Sequence, residues 1–181
     1  MSTKRQCLKL SIPEIKEASE LLNSAINEHL SGNFKLAEEL IKKADKTAIR
    51  EWTESIWGKG GIYSQLKEKL GEPDTVIKED RDALRMPKKL GQKELLERDG
   101  YKCRFCGIPV IRKEVREYLK KLYPNALQWG YKNSEQHSAF QAMWVQYDHL
   151  VPHARGGRTS LDNMIITCAP CNYGRMNFLI E

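Results

Sequence analysis

The sequence predicts an α+β fold in two parts: a helical N-terminal region over 1–86, then a small domain over 87–181 built on a strand–loop–strand–helix tail. Three observations predict it. Apolar residues recur at helical spacing through the first half, led by Ile15, Ala18, Leu22, Ala25 and Ile26. Two short runs, Trp144 to His149 and Met164 to Thr167, read as strands around a loop rich in glycine and arginine. Four of the five cysteines form two pairs of identical spacing, Cys103-x-x-Cys106 and Cys168-x-x-Cys171.

The first helix should open at Ser11-Ile12-Pro13-Glu14, which reads as a capping box with proline just inside the helix start. Ser31-Gly32-Asn33 stops it. A second helix is expected from Phe34 through Leu40, Ile41 and Ala44, with a continuation to Trp52 and Trp57 open, and Gly58 to Gly61 breaks it. The pair reads as a helical hairpin packed on its neighbour. Tyr63 to Leu70 is a short helix and Gly71-Glu72-Pro73-Asp74 a turn. Residues 74–92 are charged and carry Pro87 and Gly91, which predicts a linker with a boundary near residue 87.

The second part begins with a helix from Lys93 to Arg98 and a turn at Asp99-Gly100. Pro109 should open an amphipathic helix with Ile111, Val115, Tyr118, Leu119 and Leu122 on one face and Pro124 at its end. This helix reads as part of an insertion over about 108–143. Residues 125–143 are polar and carry no clear pattern. The final helix is expected from Cys168 to Phe178.

Composition narrows the function. The chain has 181 residues, 40% apolar and 30% charged, so a core can form. Lys plus Arg number 30 against 24 acidic residues, a net charge of +6, which favours an anionic partner. No apolar run approaches the roughly 18 residues of a membrane span. The N-terminal stretch lacks the apolar core of a secretory signal, which predicts a cytoplasmic, reduced protein. There, paired cysteines are more often metal ligands than disulfides.

A two-residue gap lets both thiolates of a pair converge on one ion, and four thiolates make a closed tetrahedral zinc site that is structural. The gap between the pairs, residues 107–167, spans 61 residues, longer than in common zinc ribbons. The alternatives are buried thiols or a redox pair, and neither pair sits in a βαβ pattern. Cys7 stands alone and reads as a free thiol.

Between the pairs lies Tyr147-Asp148-His149-Leu150-Val151-Pro152-His153, then Arg155 and Arg158 in the loop, Asn163 before the second strand, and Asn172 and Arg175 in the final helix. This stretch resembles the HNH endonuclease superfamily, the ββα-metal fold, over about 94–176. Its specific core is 147–175. The run Arg98-Asp-Gly-Tyr-Lys-Cys-Arg-Phe-Cys-Gly107 is similar to the entry of zinc-containing members. The resemblance implies His149 as general base, Asp148 as ligand of a catalytic divalent ion, and Asn163 as the residue that holds the loop and orients the base. It places Asn172 where many members have histidine, a His-Asn-Asn variant. An amide oxygen there suits a hard cation, Mg²⁺ or Mn²⁺.

Arg155, Arg158 and Arg175 are candidates for phosphate contacts or ordinary surface charges, and His153 for a phosphate contact or a loop cap. His137 and His29 read as surface or satisfied core residues. The resemblance implies hydrolysis of DNA phosphodiesters, one strand nicked per site, with 5′-phosphate and 3′-hydroxyl ends. Two competitors stand beside it: a non-catalytic zinc-stabilised nucleic-acid-binding module, and an adaptor whose N-terminal helices bind a protein partner. Through position 90 the chain carries 17 basic against 15 acidic residues, too even to mark a nucleic-acid surface there.

Overall fold

Helix α1, Pro13–Leu30, buries Ile15, Ala18, Leu22 and Ala25, one stripe at helical spacing. In the computed structural model, which describes residues 8–179, this stripe packs on Ala37, Ile41 and Ala44 of α2, Phe34–Ala44. Alanines on both helices let the backbones approach closely. The expected capping box does not form: Ile12 is the N-cap and makes no side-chain cap. Pro13 occupies the first helical position, so Ser11 lies one residue too early. Cys7 lies outside the described residues.

The second helix does not run on to Trp57. It stops at Ala44, and α3 restarts at Thr47 and ends at Trp57. Asp45 and Lys46 between them are extended. The cause is distant in sequence: the Ser138 amide donates to Asp45 Oδ1 (2.8 Å), and the Lys46 amide donates to Ser138 Oγ (2.9 Å). Those two bonds replace helical ones. Helix α3 buries Ile49, Trp52, Thr53 and Ile56, and each large apolar side chain among them is worth about 1.5–3 kcal/mol. Helix α4, Ile62–Leu70, follows.

Helix α5, Lys89–Asp99, is capped by Gly100 in the left-handed region. Helix α6, Lys113–Leu122, begins four residues after Pro109. Pro109 instead bridges Lys102, and Ile111 lies beside Trp144: the Ile111 amide donates to Met143 O (2.6 Å), and the Val145 amide to Ile111 O (3.1 Å). The chain is thus extended where a helix was expected. The expected apolar face is also rotated. Leu119 is buried, but Tyr118 is 57% exposed and Val115 and Leu122 face solvent. Arg116 takes the inward place, its guanidinium 3.7 Å from the Trp129 ring centroid and 4.9 Å from that of Trp144.

Residues 125–143, unpatterned in sequence, supply α7, Ser138–Ala142, buried at every position. Strand β1, Val145–His149, pairs antiparallel with β2, Met164–Cys168, in the register Val145 with Cys168 through His149 with Met164. Helix α8, Ala169–Arg175, then lies against both strands and α3. It ends at Arg175 rather than Phe178, because Met176 has φ +49°. The result is α+β: a helical N-terminal region beside a two-stranded sheet and its helix. Among the described residues no helix is long and apolar enough to cross a membrane.

One core joins the two parts. A Cβ on Gly174 would meet Ile56 Cγ2 at 2.4 Å, so only glycine lets α8 seat on α3. Beside it Trp57 and Tyr173 meet edge to face at 5.4 Å. His137 donates Nε2–H to Ile41 O (2.9 Å), fixing α7 to α2, while its buried Nδ1 has no partner.

Burial holds the His137 imidazole below the usual histidine value, against the pull of the Ile41 carbonyl. Its protonation therefore favours the unfolded chain: the stabilisation is complete above the unfolded-state value of about 6.5 and is lost as pH falls below it. The midpoint of thermal unfolding should drop on acidification from about pH 7 to 5. His137→Gln should show a shallower drop, measured by circular dichroism. An identical slope in the variant would exclude His137 as a source.

Candidate functional site

The first cysteine pair sits in a tight knuckle. Gly100 and Tyr101 both take positive φ, which reverses the chain after α5. The Cys103 amide then donates to Ile108 O (2.8 Å) and the Gly107 amide to Cys103 O (2.9 Å). Asp99 bolts the knuckle to β2: its Oδ2 accepts the Ile166 amide (2.9 Å), and Arg98 forks onto both its oxygens (2.8 and 3.0 Å). The second pair closes β2 with Cys168 and enters α8 with Cys171.

All four Sγ atoms lie within 4.8 Å of one another, and those of Cys106 and Cys168 are 3.6 Å apart. A regular tetrahedron around zinc, with Zn–S near 2.3 Å, has edges of about 3.8 Å. The cluster therefore can hold a zinc ion, and its thiols call for one. Hydrogen bonds from Cys106, Cys168 and Cys171 push the Cys103 thiol below its usual value, whereas burial pushes Cys168 up and the Cys103 and Cys106 thiols raise Cys171. Four thiolates cannot share this buried space without a cation. Four cysteines from two stretches of chain thus meet at one point, as the spacing predicts.

Next to it, the end of β1 presents Asp148 and His149, both buried. Arg175, only 1% exposed, forks onto Asp148: Nη2 to Oδ1 at 2.8 Å and Nε to Oδ2 at 3.1 Å. Its remaining donors go to Leu150 O and Phe178 O (3.2 Å each) and to His149 O. All five N–H groups of the guanidinium are committed to the protein. Arg175, expected at a phosphate or at the surface, is at neither, because the end of β1 and the tail after α8 absorb every donor it has.

His149 Nε2 is 3.0 Å from Thr159 Oγ1, and its ring lies 5.6 Å from that of His153. Burial, and then the positive charges of His153, Arg175 and Arg85, lower His149 to about 4. The imidazole is therefore neutral at pH 7 and can accept a proton. The loop beyond it is closed by Asn163, whose Oδ1 accepts the Val151 amide (2.9 Å) and whose Nδ2 donates to Val151 O (3.1 Å) and Arg158 O (2.9 Å). Gly157 passes so close that a Cβ would sit 1.7 Å from Val151 O.

The expected linker is not a free tether. The Val76 amide donates to Ala154 O (2.9 Å), His153 Nε2 to Asp82 O (2.8 Å), and the Thr159 amide to Asp82 Oδ2 (2.8 Å), while Thr159 Oγ1 donates to Leu84 O. Residues 76–84 therefore lie along the 151–160 loop as a strap. His153 is tied to that strap.

Asn172 is half-buried at α8 and its amide makes no hydrogen bond within the described residues. Arg155 and Arg158 likewise have side chains without a protein hydrogen bond. Sequence reasoning missed Thr159, Asp82, Leu84 and Arg85. The last three lie over 60 residues from His149, and no local pattern links them to it.

Residues 135–177 match the family model for HNH endonuclease. No curated protein and no solved structure matches the chain. The HNH segment holds β1, the loop, β2 and α8, with His149, Asn163 and Asn172 inside it. It contains Cys168 and Cys171 but not Cys103 and Cys106, so half of the cysteine cluster comes from the chain before it. The match over this segment points to a nuclease-type function, and HNH nucleases act on nucleic acids with the help of divalent metals.

Two outcomes follow. The purified chain should carry one zinc per molecule by atomic absorption, and Cys168→Ser should lose it together with its cooperative unfolding; full zinc occupancy in that variant would exclude the four-thiolate site. Arg175→Ala should cost about 3–5 kcal/mol in urea unfolding, because it leaves Asp148 buried without its partner. A cost below about 1 kcal/mol would place that pair in effective solvent contact.

Proposed function

We propose that the chain is a metal-dependent endonuclease that hydrolyses phosphodiester bonds in DNA, with His149 as the general base. The observation that carries the proposal is the state of His149 within the HNH segment. It is buried at a strand end, neutral at pH 7, its ring bonded through Nε2 only, and flanked by a loop whose arginine side chains make no hydrogen bond among the described residues.

Hydrolysis requires a water that loses its proton as it attacks, and a neutral imidazole held at one edge can take that proton. The Asn163 clamp keeps the 151–163 loop closed beside the base, and Gly157 permits that closure. Arg155 and Arg158, with Arg85 from the strap, supply positive charge for the flanking phosphates. Arg175 serves differently: it holds Asp148 in place from behind.

The residues for a catalytic ion are Asp148 and Asn172. Asp148 Oδ2 accepts a single hydrogen bond and the Asn172 amide accepts none, so each retains an acceptor site. Two oxygen ligands suit Mg²⁺ or Mn²⁺, which keep several waters and complete their shell with substrate phosphate. When bound, such an ion would neutralise charge on the scissile phosphate and the leaving 3′ oxygen. Arg175 shares the same carboxylate, so the ion should bind weakly before DNA arrives.

The reaction expected is a nick in supercoiled plasmid in Mg²⁺ or Mn²⁺. His149→Ala should slow it by about 10²–10⁴-fold while zinc content stays unchanged. Nicking at the wild-type rate by His149→Ala would remove this residue from the chemistry. Retention of DNA without cleavage by the wild-type chain, in either metal, would favour the binding module.

A further inference from the structure

We propose that Thr159 is a positioning residue that fixes which nitrogen of His149 acts as the base, and that the strap at residues 82–84 holds it there. The inference rests on the nuclease reading above and adds to it a relay that starts outside the HNH segment.

A hydroxyl has one proton to donate. Thr159 Oγ1 gives that proton to the Leu84 carbonyl, which can only accept. Toward His149, 3.0 Å away, the same oxygen can therefore only accept, so Nε2 of His149 carries the proton. In the neutral ring the lone pair is then on Nδ1, and that nitrogen makes no hydrogen bond among the described residues. Nδ1 is the atom left to take a proton from water.

The Leu84 carbonyl is itself held. Asp82 accepts the Leu84 amide through Oδ1 (3.0 Å) and the Thr159 amide through Oδ2 (2.8 Å), so one carboxylate clamps both partners of the hydroxyl bond. These amides hold the Asp82 carboxyl below its usual range. The Asp82 carbonyl also accepts Nε2–H of His153 (2.8 Å). The strap thus engages Nε2 of both imidazoles, which face one another across 5.6 Å. Both Nε2 atoms face groups held by a segment more than 60 residues upstream.

The test uses the full-length, zinc-loaded chain. Long-range ¹⁵N–¹H spectra near pH 7, with the His149 signals assigned by their loss in His149→Gln, report which ring nitrogen is protonated. In the wild type Nε2 should be protonated and Nδ1 bare. Thr159→Val, close in shape but without a hydroxyl, should mix the tautomers and lower kcat for plasmid nicking by about 10- to 100-fold, with KM changed by less than about twofold. Thr159→Ser should restore both readouts. Asp82→Ala, which removes the carboxylate clamp and keeps the carbonyl that accepts His153, should move them in the same direction as Thr159→Val.

A wild-type His149 protonated on Nδ1 would overturn the relay. So would a Thr159→Val chain that keeps the wild-type tautomer, whether it nicks at the wild-type rate or loses activity beyond rescue by serine. A wild-type chain that cuts no DNA would sink the nuclease reading instead, and the spectra alone would then decide the relay.

Discussion

Five N–H groups on one buried guanidinium hold the site together. Arg175 reaches from the last turn of α8 to the Asp148 carboxylate, to two carbonyls after it, and to the tail at Phe178. Its plane also lies 5.5 Å from the ring of Phe105, in the first cysteine knuckle. One side chain therefore fixes the end of β1 relative to α8, and α8 relative to the knuckle. The cysteine cluster ties α8 and the end of β2 to the same knuckle. Between these two anchors the Asp148–His149 step has no freedom to drift, which is the condition a positioned base requires.

The site is also assembled from more of the chain than its own segment. The N-terminal helices reach it through Ile56, which fills the space Gly174 leaves open, and the strap reaches it through Asp82 and Leu84. The 151–160 loop would otherwise carry His153 and two arginines close to His149 with little to order them. The strap meets that loop with carbonyl and carboxylate oxygens, which both orient the histidines and offset the charge.

What the sequence made legible was local. The two Cys-x-x-Cys pairs announce their convergence because each knuckle is four residues long. Strands around His149 and Met164 follow from short apolar runs beside turn residues, and Asn163 closes a loop whose two ends it nearly adjoins. The failures that bear on the site were long-range. Asp45 breaks a helix because Ser138, 93 residues away, competes for its carboxylate. Arg116 turns inward on α6 because Trp129 and Trp144 offer it two aromatic faces, and a helical wheel scores arginine as solvent-facing. Arg175 read as a phosphate contact or a surface cation because sequence does not show that five acceptors converge on it. The charged stretch before residue 87 looked like a tether for the same reason.

The split of the cysteine cluster between the HNH segment and the chain before it bears on inheritance. A gene fragment encoding residues 135–177 would transfer His149, the loop clamp and the asparagines to a new host. It would leave behind two of four thiolates, the Phe105 ring and the strap. The recognisable segment is thus smaller than the unit that can be exchanged between proteins. Recombination that respects folding would have to cut well upstream, before residue 76, and carry the strap along with the motif it serves.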